Sequence, residues 1–332
     1  MIVVDNKVII SGSAGFIGFH LANKLLDMGY EVIGIDSLND AYDVRLKNLR
    51  ITELSNNKNY EFHELNLSDP ASIQKLHKLN LQSQSFYHMA ARAGVRQSFM
   101  DPYSYVLDNT VATTNVANFC KLAGISSLII ASTSSIYGDS GENLMQENKD
   151  EKLQPPSVYA STKLSGEILA KTILDGSDTN VLIPRFFTVY GPYGRPDMSI
   201  LRFIHWIINK QEVQVFGDGE QRRSFTYIDD VVSALIKIIN HNSSDTFNIG
   251  SNKTVSLNRV IEIIEEKTNI KSIVINQERA LKDPDVVKPD LKHIKRVLDW
   301  EPTTLIDQGI EKTVEWYKQN LELLKSLTYI NK

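Results

Sequence analysis

Apolar and polar positions along this chain alternate between two periods. Lys7-Val-Ile-Ile-Ser11 is a short apolar run that stops at glycine, the pattern of a buried parallel strand. Phe16, Ile17, Leu21 and Leu25 then recur at helical spacing, and Gly29 supplies a stop. Glu31-Val-Ile-Gly-Ile-Asp36 predicts the next strand, so a strand–helix–strand unit closes within about thirty residues, the length of a βαβ crossover. Further strands are expected at 85–90, 128–131 and 180–183, with helices at 103–122, closed by Gly124, and at 158–173. Strands alternating with helices predict a parallel sheet covered on both faces, a Rossmann-type doubly wound α/β fold.

The texture changes after Pro184. Residues 190–197, Tyr-Gly-Pro-Tyr-Gly-Arg-Pro-Asp, are dense in turn formers, and Gly217-Asp-Gly219 marks another turn. A strand is expected at 247–250, a helix at 257–268 and an amphipathic helix at 307–327. This C-terminal part reads as a smaller α/β domain.

Composition narrows the classes of function. A length of 332 residues suggests two domains on a prior of roughly 150 residues each. The net charge is −4 and the basic residues are scattered, so neither nucleic acid nor an anionic membrane is an expected partner. One cysteine, Cys120, forms no intramolecular disulfide and offers no zinc-type spacing; a small buried hydrophobe is its expected role. No metal site is expected. The stretch at 1–10 is too short and too interrupted by charge for a signal peptide, and no apolar run reaches the roughly 18 residues of a membrane span. A cytoplasmic location is expected.

Candidate chemistry begins at Gly12-x-x-Gly15-x-x-Gly18, between the first strand and the first helix. Glycines there permit a tight turn and close approach of backbone to a pyrophosphate, while the helix N-terminus offers free N–H groups. Asp36 ends the second strand, where a carboxylate accepts from both hydroxyls of an adenosine ribose and repels a 2′-phosphate. NAD is therefore the expected cofactor.

Tyr159 and Lys163 stand four apart in a predicted helix and share a face. A free phenol has a pKa near 10, so bringing it to neutrality takes about 4 kcal/mol, which an adjacent ammonium and a nicotinium charge are suited to supply. Such a pair arises by chance on many helices. Here it is joined by Ser132-Thr-Ser-Ser135 directly after a predicted strand, at the sheet edge where open α/β folds bind ligands. Thr133 is positioned to share the substrate hydroxyl's hydrogen bond with Tyr159.

With those residues in hand, the chain resembles the extended short-chain dehydrogenase/reductase family, in its nucleotide-sugar epimerase/dehydratase branch. The likeness is carried by Gly12-Ser-Ala-Gly15-Phe-Ile-Gly18, His88-Met-Ala-Ala91, Ser132-Thr-Ser-Ser-Ile-Tyr-Gly138, Tyr159-x-x-x-Lys163 and Arg185-Phe-Phe-Thr-Val-Tyr-Gly-Pro192. Within the branch the chain is similar to UDP-glucuronate 4-epimerases at Ala91-Arg-Ala-Gly-Val-Arg96, Arg185-Phe-Phe-Thr188, Arg195-Pro-Asp-Met198, Phe216-Gly-Asp-Gly219 and Tyr227-Ile-Asp-Asp230.

The resemblance implies a NAD-binding domain over 1–184 plus about 226–252, and a nucleotide-sugar domain over 185–225 and 253–332. It implies that Gly12, Gly15, Phe16, Ile17, Gly18, Asp36, Asn66, Leu67, Ala90, Ala91, Tyr159 and Lys163 contact the cofactor. Tyr159, Lys163 and Thr133 would carry catalysis: Tyr159 takes the proton from the sugar 4-hydroxyl as hydride leaves carbon 4 for NAD. The resulting 4-keto sugar turns over and takes the hydride back on its other face. Ser134, Ser135, Thr188, Arg195, Arg223 and Asp283 are the implied substrate ligands. Asn66 stands where an aspartate is more usual, and Lys282-Asp-Pro-Asp-Val-Val-Lys288 departs from the family's glycine–aspartate pattern. A homodimer built on the two long helices is also implied.

Several activities stay open within this branch. Dehydratases carry an acidic pair where this chain has Ser134 and Ser135, and elimination needs such an acid and base. A 4-keto uronic acid is a β-keto acid that loses carbon dioxide readily, so a decarboxylase is the main rival. Arg195, a planar fork suited to carboxylate, is the residue expected to restrain that group. A 4-epimerase of neutral UDP-hexoses (UDP-glucose or UDP-N-acetylglucosamine) and a non-catalytic NAD-binding sensor remain as alternatives.

Overall fold

The computed structural model describes residues 6–79, 81, 83–139, 141, 143–147, 153–278 and 284–327. The chain separates into two units. The first comprises Met1–Ile136, Lys152–Phe186 and Val232–Phe247; the second comprises Tyr137–Glu151, Phe187–Val231 and Asn248–Lys332.

The inner strands of the first unit are apolar, as a sheet covered on both faces requires. β1 (Lys7–Ser11), β2 (Glu31–Asp36), β3 (Tyr60–Glu64), β4 (Ser85–His88), β5 (Ser127–Ile130), β6 (Asn180–Phe186) and β7 (Asp245–Ile249) lie in the order β7-β6-β5-β4-β1-β2-β3. The two-residue strand Ser132–Thr133 pairs with β6. Each register described between β1 and its neighbours, and outward to β3 and β6, is parallel. The strand order turns back on itself between β1 and β4, which is where open α/β sheets place their ligand crevice.

α1 (Phe16–Asp27) and α5 (Val158–Leu174) form where the sequence predicts helices, α2 (Val44–Leu54) and α3 (Pro70–Lys78) are additional, and α4 (Ala112–Ala123) is part of the helix expected over 103–122. Ile9, Ile33, Phe86, Phe119, Cys120, Leu128 and Ile183 belong to one buried apolar cluster. Cys120 is thus a core residue, as the sequence predicts, and burial pushes its thiol pKa well up.

One expected helix is not continuous. Instead of a single helix over 103–122, the chain forms Pro102–Tyr105, a π-helical turn Val106–Val111, and then α4, closed by Gly124 at φ 67°. The C-terminal helix is also divided, into Ile306–Gln319 and Leu321–Ser326.

The second unit holds short sheets: Thr188–Tyr190 with Phe225–Tyr227, Glu212–Phe216 with Ile273–Gln277, and Arg222–Arg223 between Val255–Ser256 and Val286–Val287. Buried Asp230 fixes the segment after Trp300 by accepting from the N–H groups of Thr303 and Thr304 at 3.1 and 3.0 Å. Among the described residues no helix is long and apolar enough to cross a membrane.

Candidate active site

The parallel register brings the C-terminal ends of four strands to one edge. Ser11 lies opposite Ile35 and His88, and His88 lies opposite Ile130. Gly12, Asp36, Ala90 and Ser132 follow directly from those ends. The sheet therefore gathers the glycine motif, Asp36 and the hydroxyl run along a single rim.

The glycine turn is closed by its own backbone. Gly12 N–H donates to the Ile35 carbonyl at 2.7 Å, and Gly15 N–H donates to the Gly12 carbonyl at 2.9 Å. Gly12 has φ 74°, and a Cβ there would sit 2.6 Å from the Ala90 nitrogen. A Cβ on Gly18 would collide with the Gly12 carbonyl. Gly15 caps α1 and, as glycine, brings no side chain of its own to the first N–H groups of the helix. Buried Arg50 braces the turn by donating to the Ala14 carbonyl at 2.7 Å and to the Tyr42 hydroxyl at 2.6 Å. Close backbone and an open helix N-terminus fit a dinucleotide pyrophosphate.

Asp36 is buried at the end of β2 and accepts from the Leu38 N–H at 2.9 Å. Lys47, equally buried, has its Nζ 3.6 Å from the same Asp36 oxygen. Asn66 is exposed, and its Oδ1 accepts from the Ser68 N–H and hydroxyl at 3.0 and 2.8 Å. Leu67 is buried, with its carbonyl taking a hydrogen bond from Asn115 at 2.8 Å. Ala90 is half-buried and Ala91 exposed.

α5 presents Tyr159 and Lys163 one turn apart. Ser157 starts the helix, accepting from the Ala160 N–H at 3.1 Å. Tyr159 is half-buried, edge-on to Tyr105 at 6.3 Å between ring centroids. Lys163 is only 4% exposed, and burial pulls its ammonium down to about 8, partly offset by the Glu167 carboxylate. Glu167, one further turn along, forms a buried pair with Arg185 at 3.1 and 2.8 Å and accepts a short hydrogen bond from Ser132. That bond ties α5 to the strand Ser132–Thr133. Thr133, buried, accepts from the Ser135 N–H and donates to the Ser135 hydroxyl, each at 3.2 Å. Ser134 and Ser135 are half-buried.

A second buried polar chain joins the glycine turn to the same helix. Thr113 donates to the Asn109 carbonyl at 2.6 Å, so it accepts from His88 Nε2 at 3.1 Å. His88 Nδ1 then carries no proton and accepts from the Ser11 hydroxyl at 2.7 Å. Burial and the nearby Lys163 charge lower the His88 pKa to about 3, consistent with this neutral tautomer. Asn109 sits in the π turn and grips Arg92 at both its N–H and carbonyl, at 2.8 and 3.0 Å. It also donates to Thr162 at 3.0 Å, and Thr162 donates to the Tyr159 carbonyl at 2.8 Å. Such π turns are frequent at functional sites because the extra residue re-aims local groups.

In the second unit, Arg195 places Nε and Nη2 on the two oxygens of Asp197 at 3.0 and 2.5 Å. Thr188 is half-buried, and its N–H donates to the Ser224 carbonyl at 3.2 Å. Arg223, half-buried, has Nη1 on the Arg222 carbonyl at 2.9 Å. Asp283 lies outside the described residues. Among the described residues, no cluster of three or more His, Cys, Asp or Glu could hold a metal ion.

The sequence pattern of the NAD dependent epimerase/dehydratase family matches residues 8–250. This chain belongs to that family. A UDP-glucuronate 4-epimerase from Thermodesulfobacterium geofontis is 38% identical over 322 residues, covering 96% of this chain and 98% of that one. The crystal structure of a UDP-glucuronic acid 4-epimerase from Bacillus cereus, in complex with UDP-glucuronic acid and NAD, superposes with a TM-score of 0.88 at 31% identity. The match covers 94% of this chain and 99% of that one. A UDP-glucose 4-epimerase from Thermotoga maritima, solved with UDP-glucose, gives a TM-score of 0.86 at 27% identity over 95% and 99% of the two chains. The family and the Rossmann-type fold expected from the sequence are thus both found.

Sequence reasoning assigns no role to Lys47, His88, Asn109 or Glu167. Glu167 does leave a trace, since it extends the Tyr159–Lys163 spacing by another four residues along one face. Lys47 leaves none, because a lysine in a polar helix reads as a solvated surface charge.

Proposed function

We propose that this protein is a NAD-dependent UDP-sugar 4-epimerase that converts UDP-glucuronate to UDP-galacturonate through a transient 4-keto sugar. The observation that carries the reading is buried Lys163, one turn from Tyr159 on a helix tied to the Ser132–Thr133 strand. That strand ends on the same sheet edge as the glycine turn and Asp36. Identity to a UDP-glucuronate 4-epimerase over nearly the full length of both chains supports the choice of sugar.

The first unit holds NAD through Gly12, Gly15, Phe16, Ile17, Gly18, Asp36, Asn66, Leu67, Ala90 and Ala91, and the second carries the nucleotide-sugar ligands Thr188, Arg195 and Arg223. Bound NAD supplies a hydride acceptor and donor for carbon 4. Tyr159 takes the 4-hydroxyl proton and returns it on the way back. Lys163 holds the phenolate and the nicotinamide ribose, and Thr133 orients the 4-oxygen. Arg195, its plane set by Asp197, restrains the uronate carboxylate with Thr188, Ser134 and Ser135. Held out of alignment with the 4-keto group, that carboxylate does not leave as carbon dioxide. Asp283 is retained as the ligand for the UDP ribose.

Following UDP-glucuronate by NMR with purified protein tests this. UDP-galacturonate is the expected product; a UDP-pentose would make the protein a decarboxylase, and turnover of only neutral UDP-hexoses would remove Arg195 from its role. Tyr159→Phe should hold NAD as the parent does and lose about a hundredfold or more in kcat.

A homodimer in the cytoplasm belongs to the same proposal. Phe99, Met100 and Tyr103, with Leu122 on α4 and Ile168 on α5, expose 57, 86, 71, 77 and 56% of their surface. Sedimentation of the parent and of Met100→Glu, Tyr103→Glu tests it: a monomeric parent would refute the dimer.

A further inference from the structure

The cofactor preference of this chain rests on one carboxylate laid over a site already built for phosphate. Asp36 Oδ1 receives two positive groups at once, the Leu38 N–H at 2.9 Å and Lys47 Nζ at 3.6 Å. Both side chains of the pair are more than nine-tenths buried. Lys47 is not loose in this position: it donates to Asn39 Oδ1 at 2.8 Å and stands over the Tyr42 ring at 5.3 Å. The Asp36 side chain closes an Asx-type turn on the Leu38 N–H, and Leu38 itself has φ 49°, in the left-handed region.

We propose that Leu38 N–H and Lys47 form a latent binding site for the 2′-phosphate of NADP, which Asp36 fills in the native protein. The proposal rests on the reading of Asp36 as the ribose ligand of NAD. An acid at the end of the second strand selects the free 2′-hydroxyl, whereas a nearby cation accommodates the 2′-phosphate. In this chain both are present, and the cation's charge is taken up by the acid. Deleting the carboxylate leaves an N–H and an ammonium beside one vacated oxygen position, within a low-dielectric surround that strengthens an ion contact. No new basic residue needs to be introduced.

The neighbouring cations are excluded by their own bonds. Arg50 is committed to the Ala14 carbonyl and the Tyr42 hydroxyl. Arg45 is held on Asp43 at 2.6 Å at the exposed start of α2. Lys47 is the cation in contact with Asp36 itself.

The test is calorimetric titration of full-length protein with NAD and with NADP, for the parent, Asp36→Ser, Asp36→Ala, and each of these Asp36 variants combined with Lys47→Met. The parent should bind NAD in clear preference to NADP. Asp36→Ser should bind NADP about ten- to a hundredfold more tightly than the parent does, the range of one or two charge-assisted contacts. Adding Lys47→Met should abolish that gain. Circular dichroism establishes that each variant is folded, and Asp36→Ala serves where the serine variant is not. If the parent binds NAD selectively but both Asp36 variants fail to gain NADP affinity, the latent site is refuted and the function stands. A gain that survives Lys47→Met refutes the site in the same way. If the parent binds no NAD, the reading of Asp36 fails and takes this inference with it.

Discussion

Replacing Lys163 with methionine should make the cofactor-free protein more stable while removing its activity. In the folded chain Lys163 is almost wholly buried and its pKa falls to about 8, against 10.5 for a free lysine, because burial outweighs the help from Glu167. Between those two values the unfolded chain binds a proton that the folded chain does not. Stability therefore rises with pH through that window, and below pH 8 the full penalty for burying the ammonium is present. At 1.36 kcal/mol for each pKa unit, the penalty at neutral pH is roughly 3 kcal/mol.

Methionine has a similar length and no charge to desolvate, so Lys163→Met escapes that cost. The measurement is urea unfolding of both proteins, stripped of bound cofactor, at pH 7 and again near pH 10.5. The variant should be more stable by about 3 kcal/mol at pH 7, and the difference should shrink to near zero at the higher pH. Other groups that titrate over this range are common to both proteins and cancel. A variant no more stable than the parent at pH 7, or a gap that does not change with pH, would refute the reasoning.

Three further outcomes follow from the same site. Glu167→Gln leaves the Arg185 guanidinium buried without its carboxylate, and should cost about 3–5 kcal/mol in urea unfolding; a loss under about 1 kcal/mol would contradict the buried pair. Gly18→Ala drives a Cβ into the Gly12 carbonyl, so NAD affinity by calorimetry should fall at least about tenfold, while an unchanged affinity would show that the turn is not the pyrophosphate site. His88→Leu leaves the Ser11 hydroxyl without its acceptor and should lower stability by about 1–3 kcal/mol, with His88→Gln milder because its amide supplies both an acceptor and a donor; equal losses would contradict the buried hydrogen-bond chain.

Much of the first unit can be read from apolar runs because parallel strands buried on both faces leave little room for polar residues. β1 and β2 have the bounds expected from their glycine and aspartate stops. β3 escapes that pattern for the opposite reason: Tyr60–Glu64 is an edge strand whose residues are all exposed or half-buried, so Glu61 and His63 break any apolar signal. The π turn is equally hidden. An extra residue in a helical turn changes neither composition nor the run of apolar positions, and only the bonds of Asn109 to Arg92 and Thr162 reveal what the turn is for. The C-terminal helix breaks at Asn320, whose side chain folds back to donate to the Trp316 carbonyl at 2.9 Å. Asparagine competes with the helix in this way, yet periodicity alone carries the expectation through it.

The residues that sequence reasoning passes over are those that set the charge of the centre. His88 is held neutral between Ser11 and Thr113, so it contributes no charge beneath the helix. Arg185 and Glu167 cancel one another in a bidentate pair. Within this set protonated Lys163 is then one positive charge in excess, and the phenol of Tyr159 stands one helical turn away. Loss of the Tyr159 proton restores balance, whereas neutral tyrosine leaves the ammonium poorly compensated. On the proposed mechanism Lys163 therefore carries its cost in stability when the site is idle and is relieved of it as the Tyr159 phenolate forms. The motif Tyr-x-x-x-Lys names the pair proposed to react; Arg185, Glu167 and His88 leave that pair one positive charge above neutral at rest.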